Sequence, residues 1–172
     1  MRHEEEYMSG RMKGLMLAAV VGAAAYARTV EATDPVGFTG TTLAKGRYDE
    51  IDVKNISEPP DYWQAKLKTK GLSDLYVQSN VWQPNGTTGW HTHPGHSLIT
   101  VTAGEITAYD GDDPNCTPTV YTVGMGFVDS GGDHVHVLRN EGAVEARTIT
   151  VQLIPGDAIR RIDAPAPGNC PF

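Results

Sequence analysis

At 172 residues the chain can enclose one hydrophobic interior, and its 19 glycines and 11 prolines, set among short apolar runs, suit a turn-rich all-β fold better than a helical one. The formal net charge is −7 and no run of lysines or arginines occurs. Nothing is therefore placed to neutralise phosphates, which excludes nucleic acid and anionic membrane surfaces as partners.

"RMKGLMLAAVVGAAAYA" (11–27) carries Arg11 and Lys13, then an apolar run from Leu15 to Ala25, then Ala25-Tyr26-Ala27. This charged, apolar, A-x-A order predicts a cleaved signal peptide over residues 1–27 and an exported protein, secreted or periplasmic, with no membrane attachment after cleavage. The apolar run is short of the roughly 20 residues of a spanning helix; an uncleaved anchor and an ordinary buried helix are the alternatives. Residues 28–40, "RTVEATDPVGFTG", read as a mature extension and 41–172 as a single β domain.

Within that domain "QAKLKTK" (64–70) and "DLYVQSNVW" (74–82) have the alternation and β-former content of strands, separated by a Gly-Leu-Ser break, and "SEPPDYW" (57–63) ahead of them reads as a proline-broken loop. "SLITVTA" and "ITAYD" look like the arms of a hairpin turning at Ala103-Gly104, and "DGDDPN" (110–115) like a solvated turn without calcium-loop spacing. "TVYTV", "GFVD", "HVHVLRN" and "RTITVQLIP" complete a series of short strands with frequent turns, as expected of a sandwich, barrel or jelly roll. The two cysteines, Cys116 and Cys170, sit in "DDPNCTP" and "PAPGNCPF". In an exported chain this pair is expected to form a disulfide tying the C-terminal tail to a surface loop, since it lacks C-x-x-C spacing.

The chemistry is concentrated in histidines. His91 and His93 are two apart, so in a strand both imidazoles face one side; His134 and His136 repeat the spacing after a glycine-rich turn. Imidazoles from two segments can satisfy a divalent transition ion: iron, manganese, zinc, nickel or copper. His96 falls out of phase and belongs at the rim or in solvent. His134 has the parity to face the same cavity, as an additional ligand or as a residue behind the ligands. Asp133 could orient an imidazole or be a solvated turn residue. Tyr109, Tyr121 and Gln152 are candidates for lining the cavity, and Trp90 for the opposite face of its strand.

"GTTGWHTHPGHSLITVTAG" and "GMGFVDSGGDHVHVLRNEG" resemble the two motifs of the cupin superfamily. Gly86, His91, His93 and Gly104 match the first; His136 and Asn140 match the end of the second, while "SGGD" represents its proline-x-glycine only loosely. The resemblance covers about residues 75–155 and implies a jelly-roll β-barrel holding a metal on His91, His93 and His136. Ser97 stands where the family has its metal-binding glutamate. A serine there leaves three neutral imidazoles and an uncompensated +2 ion, suited to a small anionic chelating substrate, or else a site whose metal binding has weakened or been lost. The resemblance thus implies a metal-dependent, dioxygenase-like enzyme. A non-catalytic secreted module for a small ligand or metal, or a vestigial site, is the alternative. Homodimerisation is a further expectation from the family.

Overall fold

The computed structural model describes residues 31–59 and 62–172, so the expected signal peptide lies outside the described residues. The alternating segments become twelve strands, with no helix among the described residues. They are β1 (Val36–Tyr48), β2 (Asp52–Ile56), β3 (Gln64–Lys68), β4 (Ser73–Thr87), β5 (His91–Thr92) and β6 (His96–Ala103), followed by β7 (Glu105–Asp110), β8 (Thr119–Thr122), β9 (Gly126–Asp129), β10 (His136–Arg139), β11 (Ala146–Pro155) and β12 (Ile162–Asp163). One antiparallel face runs β1-β4-β11-β6-β9 and the other β12-β5-β10-β7-β8; a pairing of Arg139 with Thr87 joins them into a nearly closed barrel. β2 and β3 form a separate hairpin. β1 pairs with β4 along most of its length from Val36 onward, so residues 36–40 of the expected extension are already barrel strand.

Period-two burial sets what faces inward. On β4 Asp74, Gln78, Asn80 and Trp82 are buried on one parity, with Ser73 also buried at the strand's first position, and on β11 Ala146, Thr148, Thr150, Gln152 and Ile154 are buried. One end of the barrel is thus apolar, with Trp82, Val101, Ile106, Leu138 and Ala146 packed together; toward the other end the same strands turn polar.

The hairpin expected at Ala103-Gly104 is not formed. β6 pairs with β11 and β9, whereas β7 pairs with β10 and β8, so β6 and β7 are consecutive stretches that cross from one face to the other. Gly104 makes that corner, with φ +64° and no room for a Cβ, which would sit 2.7 Å from the Glu145 carbonyl oxygen. A glycine between two alternating runs marks a bend equally well whether the strands fold back on each other or part company.

Cys116 and Cys170 are disulfide-bonded with Cα atoms 5.1 Å apart. They pack beside a second cluster of Trp90, Tyr109, Val137 and Ala164, where the C-terminal tail covers the outside of the barrel. Trp90 thus points away from the lumen, and Phe172 lies between Tyr109 and Arg139. Spanning 54 residues, the bridge contributes about 2–4 kcal/mol.

Candidate metal centre

At the polar end, His91 on β5 lies directly opposite His136 on β10, and His93 follows just beyond β5. All three are buried, at 3%, 5% and 8% exposure respectively. One nitrogen from each comes within 4.8 Å of the others. The ring contacts are close, with centroids 4.4 Å apart for His91–His136 and 4.8 Å for His91–His93.

Backbone carbonyls set the orientation. His91 Nδ1 faces the Gly89 carbonyl at 2.9 Å, His93 Nδ1 the Arg160 carbonyl at 2.7 Å, and His136 Nδ1 the His134 carbonyl at 3.4 Å. A carbonyl only accepts, so each contact places the proton on Nδ1 and leaves the Nε2 lone pair free. This is how a ligating imidazole is held ready for a metal. Burial is the leading cause that pushes all three below the ordinary histidine range, His93 to about 4, so the rings are neutral and able to donate an electron pair. The residues present fit a divalent transition ion.

Ser97 is buried on β6 but its region is not free of carboxylate. The strand register puts Asp129, on β9, directly across from Ser97. Asp129 is 4% exposed, accepts a hydrogen bond from the Ser97 hydroxyl at 3.2 Å, and lies 3.7 Å from both His93 Nε2 and His136 Nδ1. The expectation of an uncompensated charge is corrected by this residue. Nothing in the sequence singled it out, because "GFVDSGGD" places it in a strand end unrelated to either H-x-H. Only the pairing of β6 with β9, 32 residues apart, brings it to the histidines.

Asp133, considered as an orienting group, is exposed in the turn. Asp129 and Asp110 occupy that role: His134 Nε2 donates to the Asp110 carboxylate at 2.9 Å, while its Nδ1 lies 3.8 Å from Asp129. His134 therefore stands behind His136, its ring stacked at 5.6 Å. It faces a neighbouring cavity of about 380 Å³ and, outside the group formed by His91, His93 and His136, makes a second close group of ligand atoms with Asp129 and His136. The turn that carries these groups depends on Gly131 (φ +65°), where a Cβ would lie 2.3 Å from the Gly95 carbonyl. His96 is exposed and binds the Ser130 carbonyl. Asn140 is a structural residue, its amide spanning the carbonyls of Trp82, Gln83 and Val144.

The three histidines open on a lumen of about 50 Å³ lined also by Gln78, Asn80, Gln152 and Arg160. Gln152 reaches in and donates to Ser97 at 3.1 Å, whereas Tyr109 and Tyr121 line the neighbouring cavity beside His134, Tyr109 also joining the outer cluster and Tyr121 stacking on Phe127. The guanidinium of Arg160 binds the neutral Gln78 carbonyl at 2.7 Å.

No family model matches the chain and no curated protein matches it. Among solved structures, an oxalate oxidase is 20% identical over 48% of this chain and 46% of its own, at a TM-score of 0.40. A cupin superfamily protein from Desulfitobacterium hafniense is 10% identical over 62% and 81%, at 0.41. The polyketide cyclase RemF from Streptomyces resistomycificus is 15% identical over 76% and 75%, at 0.49. The chain spans less than half the length of the oxalate oxidase it matches. At such distances the chain's own features must decide. Its two spaced histidine motifs are carried on facing strands of a double-layered antiparallel barrel that brings them to one point, which is the fold and histidine arrangement that the resemblance to the cupin superfamily implies.

Proposed function

We propose that the protein is an exported single-domain cupin that holds one divalent transition metal on His91, His93 and His136 and oxidises a small anionic, chelating substrate with dioxygen. The observation that carries the metal assignment is the three Nδ1–carbonyl contacts, which aim three neutral Nε2 lone pairs for a ligand. A redox-active ion held by His91, His93 and His136 would supply Lewis-acid and electron-transfer chemistry at this site.

The chain's own groups perform the rest. Arg160 uses its carbonyl to orient His93 and presents its guanidinium to the same lumen with no carboxylate partner among the described residues, so it is placed to bind an anionic group of the substrate. Gln152 Oε1 is buried with no hydrogen-bond partner among the described residues and is placed to accept from a substrate hydroxyl or an ordered water. A lumen of about 50 Å³ admits only a few heavy atoms beside the histidines. The disulfide supports the non-cytoplasmic placement, because such bonds persist in oxidising compartments.

The test is elemental analysis of untagged mature protein, followed by anaerobic reconstitution with Fe²⁺, Mn²⁺, Cu²⁺, Ni²⁺ and Zn²⁺. One equivalent of metal is expected for wild type, and His91→Ala should weaken binding at least about 100-fold while keeping the fold. No metal under any condition, or stoichiometric metal retained by His91→Ala, would overturn the assignment. Oxygen uptake with small carboxylates then separates an enzyme from a module that binds without turnover.

A further inference from the structure

We propose that Asp129 is itself a metal ligand, so that this barrel keeps a three-histidine, one-carboxylate centre with its carboxylate supplied from β9 instead of β6. This rests on the metal reading above. Ser97 and Asp129 are register partners on neighbouring strands, both inward-facing and buried. The small Ser97 side chain leaves the space between them to the aspartate. Its hydroxyl proton has a fixed direction: Gln152 donates to Ser97 Oγ at 3.1 Å, so the hydroxyl gives its own proton to Asp129 Oδ2 at 3.2 Å. Oδ1 is held by the Gly131 backbone N–H at 2.9 Å. The carboxylate is therefore gripped from both sides.

Its position relative to His93 matters most. Asp129 Oδ2 lies 3.7 Å from His93 Nε2, the nitrogen that the Arg160 carbonyl leaves unprotonated. Two ligands about 2.0–2.2 Å from one ion lie no more than about 4.2 Å apart. The pair is within that span; Asp129 otherwise groups closely with His134 and His136 and not with the three-histidine set, so completing the centre requires its carboxylate to draw toward His91 and His136 as the ion binds.

Charge supplies the second argument. Among the described residues, no lysine or arginine lies within ion-pair distance of Asp129; its titratable neighbours are His93, His134 and His136. A buried carboxylate faced only by imidazoles lacks a permanent cation, and burying an unpaired charge is costly. A divalent ion on the histidines provides the missing positive charge.

Binding of Mn²⁺ to the full mature chain tests this by calorimetry, alongside the apo melting temperature of each variant. Asp129→Asn retains the hydrogen-bonding shape and removes the charge; it is expected to fold and to lose at least about 30-fold in Mn²⁺ affinity. Ser97→Glu combined with Asp129→Ser moves the carboxylate to the neighbouring strand and is expected to recover affinity to within about 10-fold of wild type. It also serves if Asp129→Asn does not fold. A carboxylate that merely orients His93 would weaken binding too, so Asp129→Cys loaded with Co²⁺ provides the distinguishing signal. A thiolate-to-cobalt absorption band, absent from wild type, is expected only for direct ligation.

Wild type that binds Mn²⁺ with Asp129→Asn within about threefold of it would overturn the role of Asp129 and leave the histidine site standing. A weakened Asp129→Asn without a thiolate band in Asp129→Cys would overturn ligation in favour of positioning. Wild type without Mn²⁺ or Co²⁺ binding would overturn the metal reading itself.

Discussion

Two regions of the barrel bury an aspartate, and they solve the problem differently. Asp74, at the start of β4, is fully enclosed and meets cations: Arg47 Nε and Nη2 donate to its two oxygens at 2.8 and 2.9 Å, and Lys45 Nζ lies at 3.1 Å. The Asp157 backbone N–H adds a further bond at 3.0 Å. Asp129, on β9 of the same face, is almost as buried but has a serine hydroxyl, a backbone N–H and histidines around it. A carboxylate with its own cations is a finished piece of structure. One whose neighbours can themselves donate electron pairs is half of a binding site. The difference lies in the company each charge keeps, since burial alone would have ranked the two alike.

Metal loading sharpens this contrast most. If Asp129 and the histidines share an ion, free metal at about 1,000 times its dissociation constant should stabilise the fold by about 4 kcal/mol over the apo protein. Urea unfolding with and without chelator measures it. The gain at that same metal concentration should be smaller in Asp129→Asn and unchanged in a variant of the exposed Asp133, such as Asp133→Asn. Equal unfolding midpoints for loaded and apo wild type would show that the Asp129 region needs no cation.

A smaller effect, with opposite signs, is expected in the apo protein. Asp74→Asn leaves Arg47 and Lys45 facing a neutral amide and should lower the unfolding midpoint. Asp129→Asn relieves an unpaired buried charge, so apo stability should rise or stay within about 1 kcal/mol of wild type. Destabilisation of both variants alike would mean that Asp129 is held by structure in the same way as Asp74.

Much of this organisation was legible in residue order. The spacing of His91 with His93, and the repeat at His134 and His136, is period-two information that survives folding directly, because alternate strand residues share a face. The β content, the outward Trp90 and the cysteine pair are similarly local or compositional. What could not be read was pairing across distance. The partner of Ser97 depends on which strand lies beside β6, and the same local pattern around Gly104 is compatible with a hairpin or with a corner between faces. His134 shows the limit within a single motif: it precedes β10 instead of lying in it, so strand parity does not govern where its ring points. Arg160 escaped notice for a related reason. It lies in the loop after β11, and only the folded chain lays its carbonyl on His93.

The smallest expected effect appears only in acid and belongs to Asp74. The Arg47 guanidinium, followed by the Asp157 backbone N–H, holds the Asp74 carboxyl well below the usual carboxylate range. The unfolded chain has the ordinary value of about 3.9. Between the two values the unfolded state binds the proton and the folded state does not, so acid favours unfolding there. The stabilisation is therefore fully present above about pH 4 and drains away as pH falls through the lower, folded value. Apo wild type should lose stability over that range with a steeper slope than Asp74→Asn, which has no carboxyl to titrate at this position. Unfolding midpoints measured from pH 5 downward, at constant ionic strength, give both slopes. Identical slopes would mean that the Arg47 pair is too well solvated to distinguish the folded from the unfolded carboxylate, and Asp74 would then cease to be the paired counterpart against which Asp129 is judged.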